Sequence, residues 1–361
     1  MSVKTDILSI TLYNECGAKR VLDYKTKGHF ILFKVCKPCE ITYLCSMITE
    51  QTNFDLSHYN TFRLPMTAAR FVEYETADDL KTLFDNGCFS GKWLHIGGGS
   101  NLLFDTARFE GTVLHRANAI ALDDFIVRCL QSGLYGLENL SGIPGELFAA
   151  IAQNAGAYGV EIGDKIGRVN AFDTVKGREV WLEHDECAFA YRSTRFKSGK
   201  DAGRYIILNA EILLDDEPRP VVTYKGLEGL TTPDEVRAKV LELRAAKLPA
   251  VSEYGSAGSY FKNPVVSKRE YARICKLIGM EPPYHTGDDG RYKLSAAWLI
   301  DKAGLKGRRR GGAALWPNQP LVIYNRGDAT ARNVVNLQNL IIKTVAEKFG
   351  VSLIPEVQRI H

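Results

Sequence analysis

The stretch Gly97-Gly98-Gly99-Ser100-Asn101 limits what this chain can fold into more than any other. It follows the apolar run Trp93-Leu94-His95-Ile96 and precedes Leu102-Leu103-Phe104. Three successive glycines leave backbone N–H groups unshielded, and Ser100 and Asn101 add short polar side chains, so the loop can approach a phosphate or pyrophosphate closely. Spacing excludes the two familiar nucleotide motifs: a dinucleotide fingerprint wants glycine where Leu102 stands, and a P-loop wants Gly-Lys-Ser/Thr. The next segment, Glu110-Gly111-Thr112-Val113-Leu114, reads as another strand and not as the opening of a helix. A flexible hairpin tip fits these residues as well as an anion cradle does, so the rest of the chain has to decide.

A chain of 361 residues is long enough for two or three domains, and 45% hydrophobic with 24% charged residues is the balance of a soluble globular protein. The net charge of +4 is too small to argue for a nucleic-acid binder. Basic residues gather at Arg192-Ser193-Thr194-Arg195-Phe196-Lys197 and Arg308-Arg309-Arg310, which suits an anionic small molecule better than a polymer. No stretch approaches the roughly twenty apolar residues of a membrane span, and the opening Met1-Ser2-Val3-Lys4-Thr5-Asp6 lacks a secretory signal, so a cytoplasmic protein is expected. Of eight cysteines only Cys36 and Cys39 form a C-x-x-C pair, with no second pair to complete a zinc site, so no metal is expected and the thiols read as reduced and structural.

Residues 1–52 differ in character from the remainder of the chain: they hold four of the eight cysteines. The expectation is that translation starts at Met47 and that the segment before it is upstream read-through or an unstructured appendage, with a small accessory hairpin as the alternative. From Asn53 the pattern is orderly. Thr76 can cap a helix from Ala77 to about Asn86, with Asp78 and Asp79 in its first turn and Gly87 as a stop. The strand at Trp93 and the glycine loop complete a β-α-β-like unit. A second turn-rich block comes later, Gly136-Leu137-Glu138-Asn139-Leu140-Ser141-Gly142-Ile143-Pro144-Gly145 and then Gln153-Asn154-Ala155-Gly156-Ala157-Tyr158-Gly159-Val160, which suits backbone wrapped round a ligand or a purely structural loop cluster equally.

Alternation from Tyr205 to Leu214 describes a half-buried strand, and Thr232-Pro233-Asp234-Glu235 is a capping box opening a helix to about Lys247. The loop Gly255 to Pro264 comes next, then a helix over Leu294 to Ala303 and a strand over Leu321 to Tyr324. Thr330 caps a long helix with Val334, Leu337, Ile341 and Val345 inward and Gly350 closing it. The final Val351 to Val357 places Glu356 at the end of a buried strand.

Taken together these blocks resemble the MurB family, the FAD-dependent UDP-N-acetylenolpyruvoylglucosamine reductases of peptidoglycan precursor synthesis. The resemblance covers about Asn53 to Val357 and is carried by Tyr59-Asn60-Thr61-Phe62, the glycine run, the Gly136 to Gly145 and Gln153 to Glu161 blocks, Tyr191-Arg192, Gly258-Ser259-Tyr260-Phe261-Lys262-Asn263-Pro264, Gly311-Gly312-Ala313-Ala314 and Pro355-Glu356-Val357. Any one of these would be weak; their joint order is specific. The resemblance implies an α+β fold: a two-subdomain FAD-binding unit of the vanillyl-alcohol-oxidase (PCMH) type over residues 53–115 and 116–236, then a C-terminal α/β substrate-binding domain over 237–361. It implies a monomer in which NADPH reduces non-covalently bound FAD and, after NADP leaves, flavin N5 delivers hydride to the vinyl carbon of the enolpyruvyl sugar nucleotide.

Residue roles come from the same resemblance. Arg192 matches the partner of the substrate carboxylate, Ser259 the donor that protonates the enol carbon, and Glu356 the third catalytic residue, which positions and polarises the enolic carboxylate. Gly97, Gly98, Gly99, Ser100, Asn101 and Leu102, with Ile143, Pro144, Gly145, Gln153, Asn154, Gly156, Ala157, Tyr158, Gly159 and Val160, match flavin-binding positions. Tyr191, Lys247, Lys262, Asn263 and Gln319 match substrate-binding positions, and Tyr224 matches the loop tyrosine that closes over substrate in the longer subtype. The chemistry suits the residue types, because hydride addition leaves an enolate-like carboxylate that calls for a cationic fork and a proton donor.

The sequence also departs from the family. Between His115 and Gly136 a strand and a glycine-containing turn are missing, which is expected to expose neighbouring ladder groups. Phe148, Ala149 and Ile151 replace small and proline positions, and Ser193 stands where aspartate is common. Two other readings stand beside the main one: a flavin oxidoreductase of the same fold acting on another substrate, and a degenerate, non-catalytic binder of sugar nucleotide or flavin.

Overall fold

Local signals set the helices. Thr76 Oγ1 accepts from the Asp79 N–H at 3.1 Å while Asp79 Oδ2 accepts from the Thr76 N–H at 2.9 Å, a capping box that opens the helix Ala77–Asp85. Thr330 and Asn333 form the same device ahead of Ala331–Phe349, which Gly350 closes with φ of 63°. Val334, Leu337, Ile341 and Val345 of that helix are wholly buried, as their spacing predicts. The helix Pro233–Lys247 likewise runs as expected. Ser267 and Glu270 cap a further helix, Lys268–Ile278.

The structure, a computed structural model, describes residues 48–287 and 289–361, and of the segment before residue 48 only the strands Leu8–Ile10 and Ile31–Leu32. Met47, Cys36 and Cys39 lie outside the described residues. The chain forms two compact units. One holds the described residues up to Phe54 together with Ala68–Gly97 and Glu110–Glu242; the other holds Asp55–Thr67, Gly98–Phe109 and Leu243–His361. Residues 53–115, expected as one subdomain, therefore contribute to both.

Backbone pairing explains the second unit's membership. The strand Gln358–Ile360 runs parallel to Leu102–Phe104, with Gln358 opposite Leu102 and Ile360 opposite Phe104. The Ser256 N–H donates to the Thr61 carbonyl at 2.8 Å, and the Asn325 side-chain amide donates to the Phe62 carbonyl at 2.9 Å. Its main sheet has the order Gly255–Ser259, Gln319–Asn325, Ala313–Trp316, Arg309–Arg310. Phe62, Tyr260, Phe261, Leu299, Ile323 and Leu337 fill the core beneath it.

In the first unit the strands Thr49–Asp55, Thr67–Tyr74, Arg108–Arg116 and Trp93–Ile96 lie in that order, the last two parallel, and the helix Ala77–Asp85 comes between Thr67–Tyr74 and Trp93–Ile96 along the chain. A second sheet has the order Arg178–Glu183, Ile166–Asp173, Tyr205–Ile212, Leu8–Ile10, Ile31–Leu32. After Arg116 the chain passes to the helix Leu122–Gln131 with no strand between. In the second sheet Ala210–Ile212 pairs antiparallel with Leu8–Ile10. Residues 120–122 instead hold a distant turn: the Leu122 N–H donates to the Gly145 carbonyl and the Leu147 N–H to the Ile120 carbonyl.

Two boundaries differ from expectation. The helix expected from Leu294 begins at Ala296, because Leu294 ends a strand and the Ser295 hydroxyl takes the Trp298 N–H. Glu356 is not at the end of a strand: it lies in irregular chain ahead of Gln358–Ile360, next to Pro355, which has no N–H to give a ladder.

Candidate active site

In the second unit the turn Gly98-Gly99-Ser100-Asn101 is packed from behind. Gly99 has φ of 65°, and a Cβ there would stand 1.8 Å from the Tyr59 carbonyl oxygen, so only hydrogen fits. Gly99→Ala is accordingly expected to lower unfolding stability by about 3 kcal/mol or more, since strain and a backbone clash add; a thermal-melt midpoint equal to that of the unsubstituted protein would contradict the packing.

From that turn the backbone leads straight to the expected catalytic residues. The Asn101 carbonyl accepts from the Gln358 N–H at 3.0 Å, and its side-chain amide donates to the Glu356 carbonyl at 3.3 Å. The Glu356 N–H donates to the Tyr260 carbonyl at 2.8 Å, and the Lys262 N–H to the Ile354 carbonyl at 2.9 Å. Phe261 bridges Pro355. Ser259, Lys262, Asn101 and Glu356, far apart in sequence, are thus carried on adjoining backbone, with Ser259 exposed and Lys262 and Glu356 half-buried. Gln319 opens the strand whose Val322 faces Ser259. Asn263 accepts the Ala296 N–H at 2.9 Å and so ties its loop to the start of the helix Ala296–Lys302. Lys247, half-buried, ends its helix.

The first unit carries the other matched residues. Gly156–Ala157 and Val160–Glu161 form a tiny hairpin whose turn uses Tyr158 and Gly159 at φ of 50° and 91°. Arg192, itself at φ of 53°, donates from its guanidinium to the carbonyls of Gly156 and Asn154, lies 3.7 Å from the Glu161 carboxylate, and stacks over Tyr191. The Tyr158 ring meets Tyr224 edge-on with centroids 4.9 Å apart. Asn139 donates to the carbonyls of Tyr158 and Val221. Asn154, matched to a flavin-binding position, uses its side chain on Glu161, Ala190 and Gly163, which is the work of a structural tie. Ile143 and Gln153 are half-buried, Pro144 is exposed, and Gly145 takes φ of 107°.

Two observations test whether a flavin dinucleotide suits these residues. The Ser141 hydroxyl and Asn139 Oδ1, on residues wholly removed from solvent, have no hydrogen-bond partner among the described residues. Such groups cost stability unless a ligand with both donors and acceptors satisfies them, which a flavin dinucleotide can do. At Gly97 a Cβ would come within 2.9 Å of a Glu146 oxygen and 3.1 Å of Ala149 Cβ, so a side chain there would press on Glu146 and the helix that follows it. The residues fit the group. Sequence reasoning passed over Glu146, whose only signal was its place directly after Pro144-Gly145.

Residues 250–360 match the family profile described as "UDP-N-acetylenolpyruvoylglucosamine reductase, C-terminal domain". Among curated relatives, the UDP-N-acetylenolpyruvoylglucosamine reductase of Bacteroides fragilis strain YCH46 is 36% identical over 335 residues, covering 85% of this chain and 99% of the relative. That of Photorhabdus laumondii is 37% identical over 326 residues, covering 84% and 95%. Among solved structures, the MurB of Thermus caldophilus superposes with a TM-score of 0.61 at 24% identity, covering 87% of this chain and 99% of that one, which is a likeness of fold.

Proposed function

The chain belongs to the UDP-N-acetylenolpyruvoylglucosamine reductase family, and from that premise we propose that it reduces UDP-N-acetylenolpyruvoylglucosamine to UDP-N-acetylmuramate, with NADPH as reductant and FAD as cofactor. The observation that carries this reading is the backbone tie from the glycine turn through Asn101 to Glu356 and on to Tyr260, the neighbour of Ser259. That tie sets the backbone of Glu356 beside Asn101 and beside Tyr260, which supports the reading.

When bound, a flavin supplies a two-electron carrier between the dinucleotide and the enol ether. Gly97 to Leu102, Ile143 to Gly145 and the Gln153 to Val160 hairpin would hold it. Overall, NADPH loses a hydride to become NADP+, and the double bond gains a hydride at its terminal carbon and a proton at the carbon beside the carboxylate. The Ser259 hydroxyl provides that proton; it is a poor acid toward water but an adequate one toward a carbanion-like centre within hydrogen-bond reach. Arg192 pairs with the carboxylate on which negative charge accumulates, in the forked geometry that lysine lacks. Glu356 orients and polarises the same group. Lys247, Lys262, Asn263 and Gln319 bind the sugar nucleotide, Tyr191 supports the Arg192 guanidinium, and Tyr224 covers the substrate. Use of NADPH and a nucleotide-linked sugar supports a cytoplasmic enzyme.

The test is anaerobic absorbance spectroscopy of the purified protein. The oxidised-flavin bands are expected to bleach with NADPH and return on adding the enolpyruvyl nucleotide, one equivalent per flavin. Bleaching without return would favour a flavin oxidoreductase with another substrate; a colourless protein that still binds UDP-sugar would favour a non-catalytic binder. Either result overturns the proposed activity.

A further inference from the structure

Glu146 links the Pro144–Gly145 turn to the helix Leu147–Ala152, and one of its carboxylate oxygens faces Gly97. The other is 3.1 Å from His115 Nε2, while His115 Nδ1 is 3.0 Å from Glu73 Oε1. A carboxylate only accepts, and a neutral imidazole has a single N–H to give. Two carboxylates, one on each ring nitrogen, are both satisfied only by the doubly protonated ring. The ring is buried and stacked on Phe71.

Of the neighbouring titratable groups, Tyr74 and His95 carry no charge, and Arg116 is the other cation close by. Tyr74 and His95 share a hydrogen bond of 2.9 Å; burial pushes the Tyr74 hydroxyl up and pulls His95 down to about 3, so both stay neutral. Arg116 turns its guanidinium to the Leu208 carbonyl and over the Phe148 ring. Burial also opposes charge on His115, but Glu146 and then Glu73 outweigh it and raise its pKa above the ordinary histidine value.

We infer that His115 is a positioning residue of the flavin cradle: as an imidazolium held between Glu73 and Glu146 it offsets one of their two negative charges, so that an acidic side chain stands beside Gly97 and the Pro144–Gly145 turn with less repulsion toward the diphosphate of a bound cofactor. The inference rests on the proposal that the chain binds a flavin dinucleotide. Its sign is fixed by linkage. A raised histidine pKa gives a contribution fully present below the unfolded value and lost as pH rises through the folded one. Flavin retention therefore weakens toward alkaline pH. In acid, by contrast, the ion pair persists until the carboxylates themselves take protons.

The full-length protein, stripped of flavin, is titrated with FAD by emission quenching between about pH 6 and pH 9, a range that brackets a raised histidine pKa. The unsubstituted protein is expected to lose about tenfold in affinity across that range, the effect of one unscreened charge near the diphosphate. Glu146→Gln should flatten the profile. His115→Gln should bind weakly throughout, and adding Glu146→Gln to it should restore binding. A flavin-free readout accompanies these: the NMR titration midpoint of the His115 imidazole should lie above that of free histidine and fall in Glu146→Gln. An unchanged pH profile or an unmoved midpoint in Glu146→Gln overturns the inference. Absence of FAD binding in every protein at every pH, with the midpoint moving as expected, overturns the flavin reading and with it the role assigned to the ion-paired ring.

Discussion

Ser259→Ala is expected to leave reduction of the flavin by NADPH within about twofold of the unsubstituted rate while slowing reoxidation by the enolpyruvyl nucleotide roughly 10³-fold, the usual worth of a positioned general acid. Ser259 ends the strand Gly255–Ser259, and its backbone is held by the pairing with Val322 and by the Tyr260 N–H donated to the Leu321 carbonyl. Those ties do not involve the hydroxyl, and the side chain is exposed, so the substitution removes a proton donor and little packing. Stopped-flow absorbance separates the half-reactions. Equal slowing in both would show that the hydroxyl supports the cofactor and does not protonate the substrate.

Why this serine could be picked from the sequence, while the ion-paired histidine could not, shows what a linear reading can reach. Helix ends were legible because capping is local: Thr76 with Asp79, Thr232 with Glu235 and Thr330 with Gly350 each lie within a turn or at one terminus of their own helix. Ser267-x-x-Glu270 carried the same signal and opens a helix that the apolar spacing alone does not single out. The strands Trp93–Ile96 and Arg108–Arg116 came from short apolar runs, but nothing local in those runs says that the two lie parallel across the glycine loop and the strand Leu102–Phe104 that connect them.

Long-range pairing leaves no periodic trace. Nothing in Gln358-Arg359-Ile360 announces a parallel partner at Leu102–Phe104, and that pairing is what brings Glu356 to Asn101. Its absence from view also explains the misplaced strand, because Val351 to Val357 reads as extended whether or not a ladder forms. The triad Glu73, His115, Glu146 comes from two strands and a turn. None of its members is unusual among its sequence neighbours, so only folding reveals that they share a charge. Asn154, matched to the cofactor, spends its side-chain amide on Glu161, Ala190 and Gly163, a use that the sequence does not signal.

Arg192→Lys is expected to reduce turnover by about 10²-fold with flavin content nearly unchanged, because a point cation replaces a planar fork at the substrate carboxylate. The structure adds a second consequence. The guanidinium also ties the Gly156 and Asn154 carbonyls and lies over Tyr191, and an ammonium group cannot keep those contacts in one geometry. A loss of about 1–2 kcal/mol in unfolding stability should therefore accompany the kinetic effect, in line with hydrogen bonds from a charged donor. Both residues tolerate the left-handed backbone at this position to the same degree, so the comparison isolates the side-chain head. Flavin absorbance per protein, kcat and a melting curve distinguish the two contributions. If flavin content fell in step with kcat, Arg192 would be a brace for the Gly156–Glu161 hairpin, and the carboxylate would have to be bound by another cation.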